Sequence, residues 1–115
     1  MRKLGLVLLA VLAFNTMSAQ TYKATGSGMS NFVYIFTEST ITSKEKGEII
    51  SVDEGFKKRV SDVVVTYYKT YDDRTKEMYQ ILNTDKDNVN IVITTTDGLS
   101  GEKYKYTIRA KRVNQ

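Results

Sequence analysis

Across residues 60–96 apolar and polar side chains alternate with a period of two, interrupted twice by a short polar break, and no other feature leaves this chain so little choice of fold. Successive side chains of a strand point to opposite faces, so a period of two sorts residues onto the two sides of a sheet. In VVVTYYKTY, Val63, Val65, Tyr67 and Tyr71 share one face and Val64, Thr66, Tyr68 and Thr70 the other. Asp72, Asp73, Arg74 and Thr75 supply a polar turn, after which KEMYQIL at 76–82 places Met78 and Leu82 on one face and Tyr79 and Ile81 on the other. A second break at 85–88 leads into VNIVITTT, where Val89, Ile91 and Ile93 alternate with Asn90, Val92 and Thr94. Three such strands joined by short polar turns make an antiparallel meander.

The flanking segments extend the pattern. Residues 22–24 read as a short first strand, followed by the loop GSGMSN at 26–31. That loop lacks the following helix whose N-terminal amides would cradle a phosphate, so it is an ordinary connection. FVYIFT at 32–37 is apolar on both faces and belongs inside a sheet or where a barrel closes. Short strands are expected at 40–44 and 48–52. Asp97 and Gly98 open a hairpin turn, on the expectation that the glycine takes a positive φ. In the last strand, KYKYTIRA, Tyr104, Tyr106, Ile108 and Ala110 form a face expected to be half buried, while Lys103, Lys105 and Arg109 face water. Residues 111–115 are expected to fray.

Only residues 51–61 leave helix and strand in competition. Ser51 and Glu54 match a capping box, and Val52, Phe56 and Val60 fall on one helical face. Against this, Gly55 disfavours a helix, and Phe56, Lys58 and Val60 also alternate as a strand would. A short helical turn near 52–60 and an irregular or extended connection both remain open.

The amino terminus has a different character. Arg2 and Lys3 precede an apolar run of 11 residues, and Ser18, Ala19 and Gln20 follow a polar stretch, the layout of a cleavable secretory signal peptide. The run is shorter than the roughly 18 residues a spanning helix needs, so no stable membrane anchor is expected once the leader is removed. Residues 1–19 are read as the leader and 20–115 as a single small domain, in the periplasm or outside the cell. The chain has no cysteine, so no disulfide staples this domain. Without Arg2 and Lys3, 15 of the 17 basic side chains face 13 acidic ones, a net charge of +2 that gives no reason to expect a nucleic-acid partner.

Seven or eight short strands in sequential hairpins predict an all-β fold, a small antiparallel meander barrel, with a two-sheet β-sandwich as the alternative. The arrangement resembles the lipocalin-type calyx proteins in general topology. It departs from them in having no tryptophan, and hence no Gly-x-Trp near the first strand, so no site residues are carried across.

Chemistry is sparse. With no histidine and no cysteine, the usual neutral-pH base, thiolate nucleophile and transition-metal ligands are missing, and no enzyme is expected. The pairs Asp53-Glu54 and Asp72-Asp73 fall in turns and not across a cleft. Asp85, Asp87 and Asn88 resemble the opening of a calcium loop, but Val89, Asn90 and the lack of a closing glutamate break the pattern. No cofactor or metal is implied. Lys57, Lys58 and Arg59 are read as a solvated basic face. The eight tyrosines are the better lead, since each joins apolar area to a hydrogen-bonding tip. Two functions follow. In the first, an exported barrel binds an apolar or amphipathic small molecule, with Tyr67, Tyr71, Tyr79, Tyr104 and Tyr106 as its lining. In the second, the core is packed and the protein is an envelope or extracellular interaction, adhesion or inhibitor module with a protein partner. The first is favoured.

Overall fold

The period-two segments all become strands in a computed structural model that describes residues 19–26, 28 and 31–113. The strands are β1 (Gln20–Ala24), β2 (Phe32–Phe36), β3 (Ile41–Glu45), β4 (Glu48–Asp53), β5 (Lys57–Ser61), β6 (Val64–Thr70), β7 (Lys76–Leu82), β8 (Asn88–Thr96) and β9 (Lys103–Val113). Among the described residues there is no helix. All nine strands belong to one antiparallel sheet in the order β4-β3-β2-β1-β9-β8-β7-β6-β5. The two sheets of the sandwich alternative are thus replaced by one continuous ladder. The leader expected at 1–19 lies, apart from Ala19, outside the described residues, as does part of the 26–31 loop.

Register follows the hydrophobic alternation, because a slip of one residue would turn every apolar side chain outward. Tyr67 of β6 lies opposite Tyr79 of β7, which lies opposite Ile93 of β8, which lies opposite Tyr106 of β9. The next row toward the β5–β6 turn runs Val65, Ile81, Ile91 and Ile108. On the other half of the sheet Tyr22 lies opposite Tyr34, and Phe36 opposite Ile41. These side chains meet because the sheet rolls over on itself. The Phe36 ring sits 5.2 Å from that of Tyr67 and 6.2 Å from that of Tyr79. Phe36 and Ile91 are wholly buried, and Tyr22, Tyr67, Ile41 and Ile81 are nearly so.

The roll does not close through hydrogen bonds. β4 and β5 are the two edges of the sheet, and no ladder joins them. The sequence expectation of a helical turn near 52–60 is overturned at this seam. Gly55 takes φ 86°, a left-handed value that ends β4 and turns the chain through a corner into β5. The supposed helical face is scattered: Phe56 is buried with its ring 5.7 Å from Tyr79, whereas Val52 and Val60 are exposed. The Phe56 amide donates to the Ser39 carbonyl at 3.0 Å, which ties the corner to the β2–β3 turn.

Two expectations about β9 also change. Residues 111–113 do not fray: Lys111, Arg112 and Val113 pair with Lys23, Tyr22 and Thr21 of β1. Tyr104 and Tyr106 share the inward face with Ile108 and Ala110 yet stay exposed. They lie on the part of β9 that pairs with β8 alone, since β9 pairs with β8 from Lys103 to Lys111 but with β1 only from Ala110 onward. Past Ala110 the hairpin runs beyond the β1 ladder, with Ile108 still buried against the core and Tyr106 and Tyr104 exposed.

Candidate functional site

The open seam and the end of β9 together shape a concave mouth at one end of the roll. Its floor is apolar and aromatic, made by Tyr22, Phe36, Val65, Tyr67 and Ile81, and its volume is about 580 Å³. Gln20, Lys58, Val60, Thr84 and Arg112 stand around the rim. Alternation explains why these residues converge. Tyr22 and Gln20 are the inward positions of β1, Val65 and Tyr67 those of β6, and Lys58 and Val60 lie opposite Tyr67 and Val65 on the edge strand β5. Arg112 reaches the mouth because β9 continues past the point where fraying was expected, which sets it opposite Tyr22.

Tyr67 is fixed at its tip as well as its ring. Its hydroxyl donates to the Thr37 carbonyl at 2.5 Å. Burial pushes the phenol above its usual range, aided by the negative charge of Glu38 and by Tyr22, so the group is a neutral donor at physiological pH. Lys58 Nζ lies 5.8 Å from the centre of that ring and 3.0 Å from Glu38 Oε1. Across the mouth, the Arg112 guanidinium lies 5.8 Å from the centre of the Tyr22 ring. One of its terminal nitrogens donates to the Thr84 carbonyl at 2.5 Å and the other is 3.9 Å from Asp87 Oδ1. Its Nε is buried and, among the described residues, has no hydrogen-bond partner.

Of the five tyrosines proposed from sequence, the mouth takes in Tyr67 alone. Tyr79 is the neighbour of Tyr67 across the ladder but packs against Phe36 and Phe56 in the core, where burial pushes its phenol up. Tyr71, Tyr104 and Tyr106 lie farther along the strands, away from the mouth. Tyr71 donates to Glu77 Oε1 at 2.5 Å, and Lys69 Nζ sits 4.6 Å from its ring centre. Tyr104 and Tyr106 occupy the uncovered stretch of β9. The other nine lining residues were missed: Tyr22, Phe36, Val65 and Ile81 on the floor, and Gln20, Lys58, Val60, Thr84 and Arg112 at the rim. For Lys58 a signal existed, its alternation with Phe56 and Val60.

The remaining clusters are dispersed by the fold. Lys58 faces inward while Lys57 and Arg59 face outward, the Arg59 guanidinium 5.2 Å from the centre of the Tyr68 ring. Asp85, Asp87 and Asn88 lie in or beside the β7–β8 turn, where the Asp87 carbonyl accepts the Arg112 amide at 2.7 Å. Among the described residues no three acidic side chains gather as a metal site. Asp73 Oδ1 accepts the Thr75 amide at 3.0 Å, and that bond holds its carboxyl below the usual range. Among the described residues no helix is long and apolar enough to cross a membrane. The chain matches no family model, and no curated protein and no solved structure is significantly similar to it.

Proposed function

We propose that this is an exported binding protein for a small apolar or amphipathic molecule, the rolled sheet acting as an incompletely closed calyx and residues 1–19 as a leader removed on export. The observation that carries the reading is the mouth itself: about 580 Å³, floored by aromatic and aliphatic side chains, falls within the range of about 300–1,000 Å³ typical of small-molecule sites. An apolar floor with a few polar groups at the rim suits a ligand that buries a hydrocarbon part and leaves a polar end at the opening. Of the tyrosine lining inferred from sequence, Tyr67 is retained in this site.

The test is native mass spectrometry of the protein taken from its own host, with a Val60→Trp variant beside it. Val60 is 63% exposed at the rim, so the larger side chain obstructs the mouth without disturbing the core. A reproducible small-molecule adduct on the wild type that is lost in the variant supports the reading. A bare wild-type chain that also fails to take up an environment-sensitive apolar dye removes it.

One observation favours the interaction module. β4 is an edge strand with Ile49 61%, Ile50 53% and Val52 50% exposed, and an apolar edge is a template for another strand. On that reading, replacing Ile49 and Val52 together by lysine abolishes an envelope complex recovered from the host and leaves the unfolding transition unchanged.

A further inference from the structure

We infer that the mouth selects an amphiphile with an anionic head, a single hydrocarbon chain ending in a carboxylate or a similar oxyanion, held between Arg112 and Lys58. The inference rests on the proposed binding function and adds the charge of the ligand. Its first support is the sign of the lining: among the described residues two cationic side chains border the cavity, and no acidic side chain does. They come from opposite walls, Lys58 from β5 and Arg112 from β9, so a head group at the rim lies between them.

The second support is how loosely each cation is engaged. Glu38, which pairs with Lys58, has 72% of its side chain exposed, and Asp87, which stands near Arg112, has 79%. The cations themselves are only 21% and 25% exposed. An exposed carboxylate in water is a weak holder of a partly buried cation, and a ligand oxyanion exchanges with it readily. The Asp87 contact, at 3.9 Å, is also too long for a hydrogen bond.

The third support is the buried Nε of Arg112, which has no acceptor among the described residues. Buried donors in folded proteins nearly always find one, and a guanidinium presents its donors in a fork that matches an oxyanion. Both cations also lie near aromatic ring faces, Lys58 at Tyr67 and Arg112 at Tyr22, which keeps them at the rim and leaves the floor free for a hydrocarbon chain.

The experiment compares three probes with one tail, dodecanoate, dodecyl maltoside and dodecyltrimethylammonium, on the chain from residue 20 onward at about pH 8, by calorimetry below micelle formation. Dodecanoate is expected to bind about tenfold or more tighter than the neutral probe, the cationic probe weakest, and added salt to narrow the gap. Lys58→Gln, on an edge strand, and Arg112→Gln should each lower the ratio of dodecanoate to dodecyl maltoside affinity, whatever either does to the two affinities in common. Equal affinity for the anionic and neutral probes, or an unchanged preference in Lys58→Gln, overturns the anionic head and leaves the binding reading standing. If none of the three probes binds, the binding function itself is removed.

Discussion

A methyl group has no place at residue 98. A Cβ built on Gly98 would lie 2.1 Å from the Asp73 carbonyl oxygen and 2.7 Å from backbone atoms of Arg74 and Thr75. The tips of the β6–β7 and β8–β9 hairpins therefore pack backbone to backbone. Gly98→Ala should cost about 1–3 kcal/mol, read as a lower urea midpoint with an unchanged slope, and a midpoint equal to wild type would show that the tips separate freely. The sequence pointed to a glycine at this turn for a different reason. The positive φ expected there belongs instead to Gly101, at 76°. A dipeptide shows that glycine is needed without showing which backbone lies beside it. The buried phenols make a second prediction at this scale. Tyr34, Tyr67 and Tyr79 all have their ionisation pushed up by burial. Below the ordinary phenol range, near pH 10, folded and unfolded chains are both protonated and nothing is lost. Above it the unfolded chain ionises first, so stability falls as pH rises from about 10 toward the folded values. Denaturant midpoints at about pH 8 and about pH 11, followed with phenolate absorbance, should show the fall together with a group of tyrosines that titrate only on unfolding.

Between elements, the corner from β4 to β5 is where three apolar residues on one nominal helical face acquire three different roles. Phe56 is 4% exposed and Val60 63%. Phe56→Ala should therefore cost about 3–5 kcal/mol, as a core aromatic does, and Val60→Ala within about 0.5 kcal/mol of nothing. Equal costs measured by chemical denaturation would mean the corner is not built this way. Strands with long, clean alternation were legible: the KEMYQIL segment is β7 with the bounds read from sequence, and its Ile81 face is the buried one. The overhang of β9 was not, because Tyr104 and Ile108 have the same parity, and which of them the rolled sheet buries depends on how far along the strand the core extends. Arg112 was missed for the same reason. A basic tail looks alike whether it is free or paired, and the pairing depends on a strand some ninety residues away.

The whole molecule is a meander with its connectivity rotated. Read from β5 through β9 and on through β1 to β4, every pair of neighbouring strands is joined in sequence except β9 and β1. A permuted chain that joins Val113 to Thr21 by a short turn and begins within 54–56 would make every ladder a local hairpin. Local contacts close with little loss of chain entropy, so this permutant should refold faster than the native chain. Stopped-flow refolding decides it, and an equal rate would mean that the β1–β9 ladder forms after the slow step. All-β class and sequential hairpins were visible in the alternation, whereas the seam was not. Whether the last two edges of a rolled sheet bond depends on total curvature, to which no single segment commits.

Four paired positions, Thr21 to Ala24 against Ala110 to Val113, form the only ladder among the described residues that clasps one half of the sheet to the other. Whatever parts those few bonds frees the two halves of the sheet together. The same event would draw Arg112, one of the two cations of the mouth, away from Tyr22, so the binding site and the clasp come apart as one.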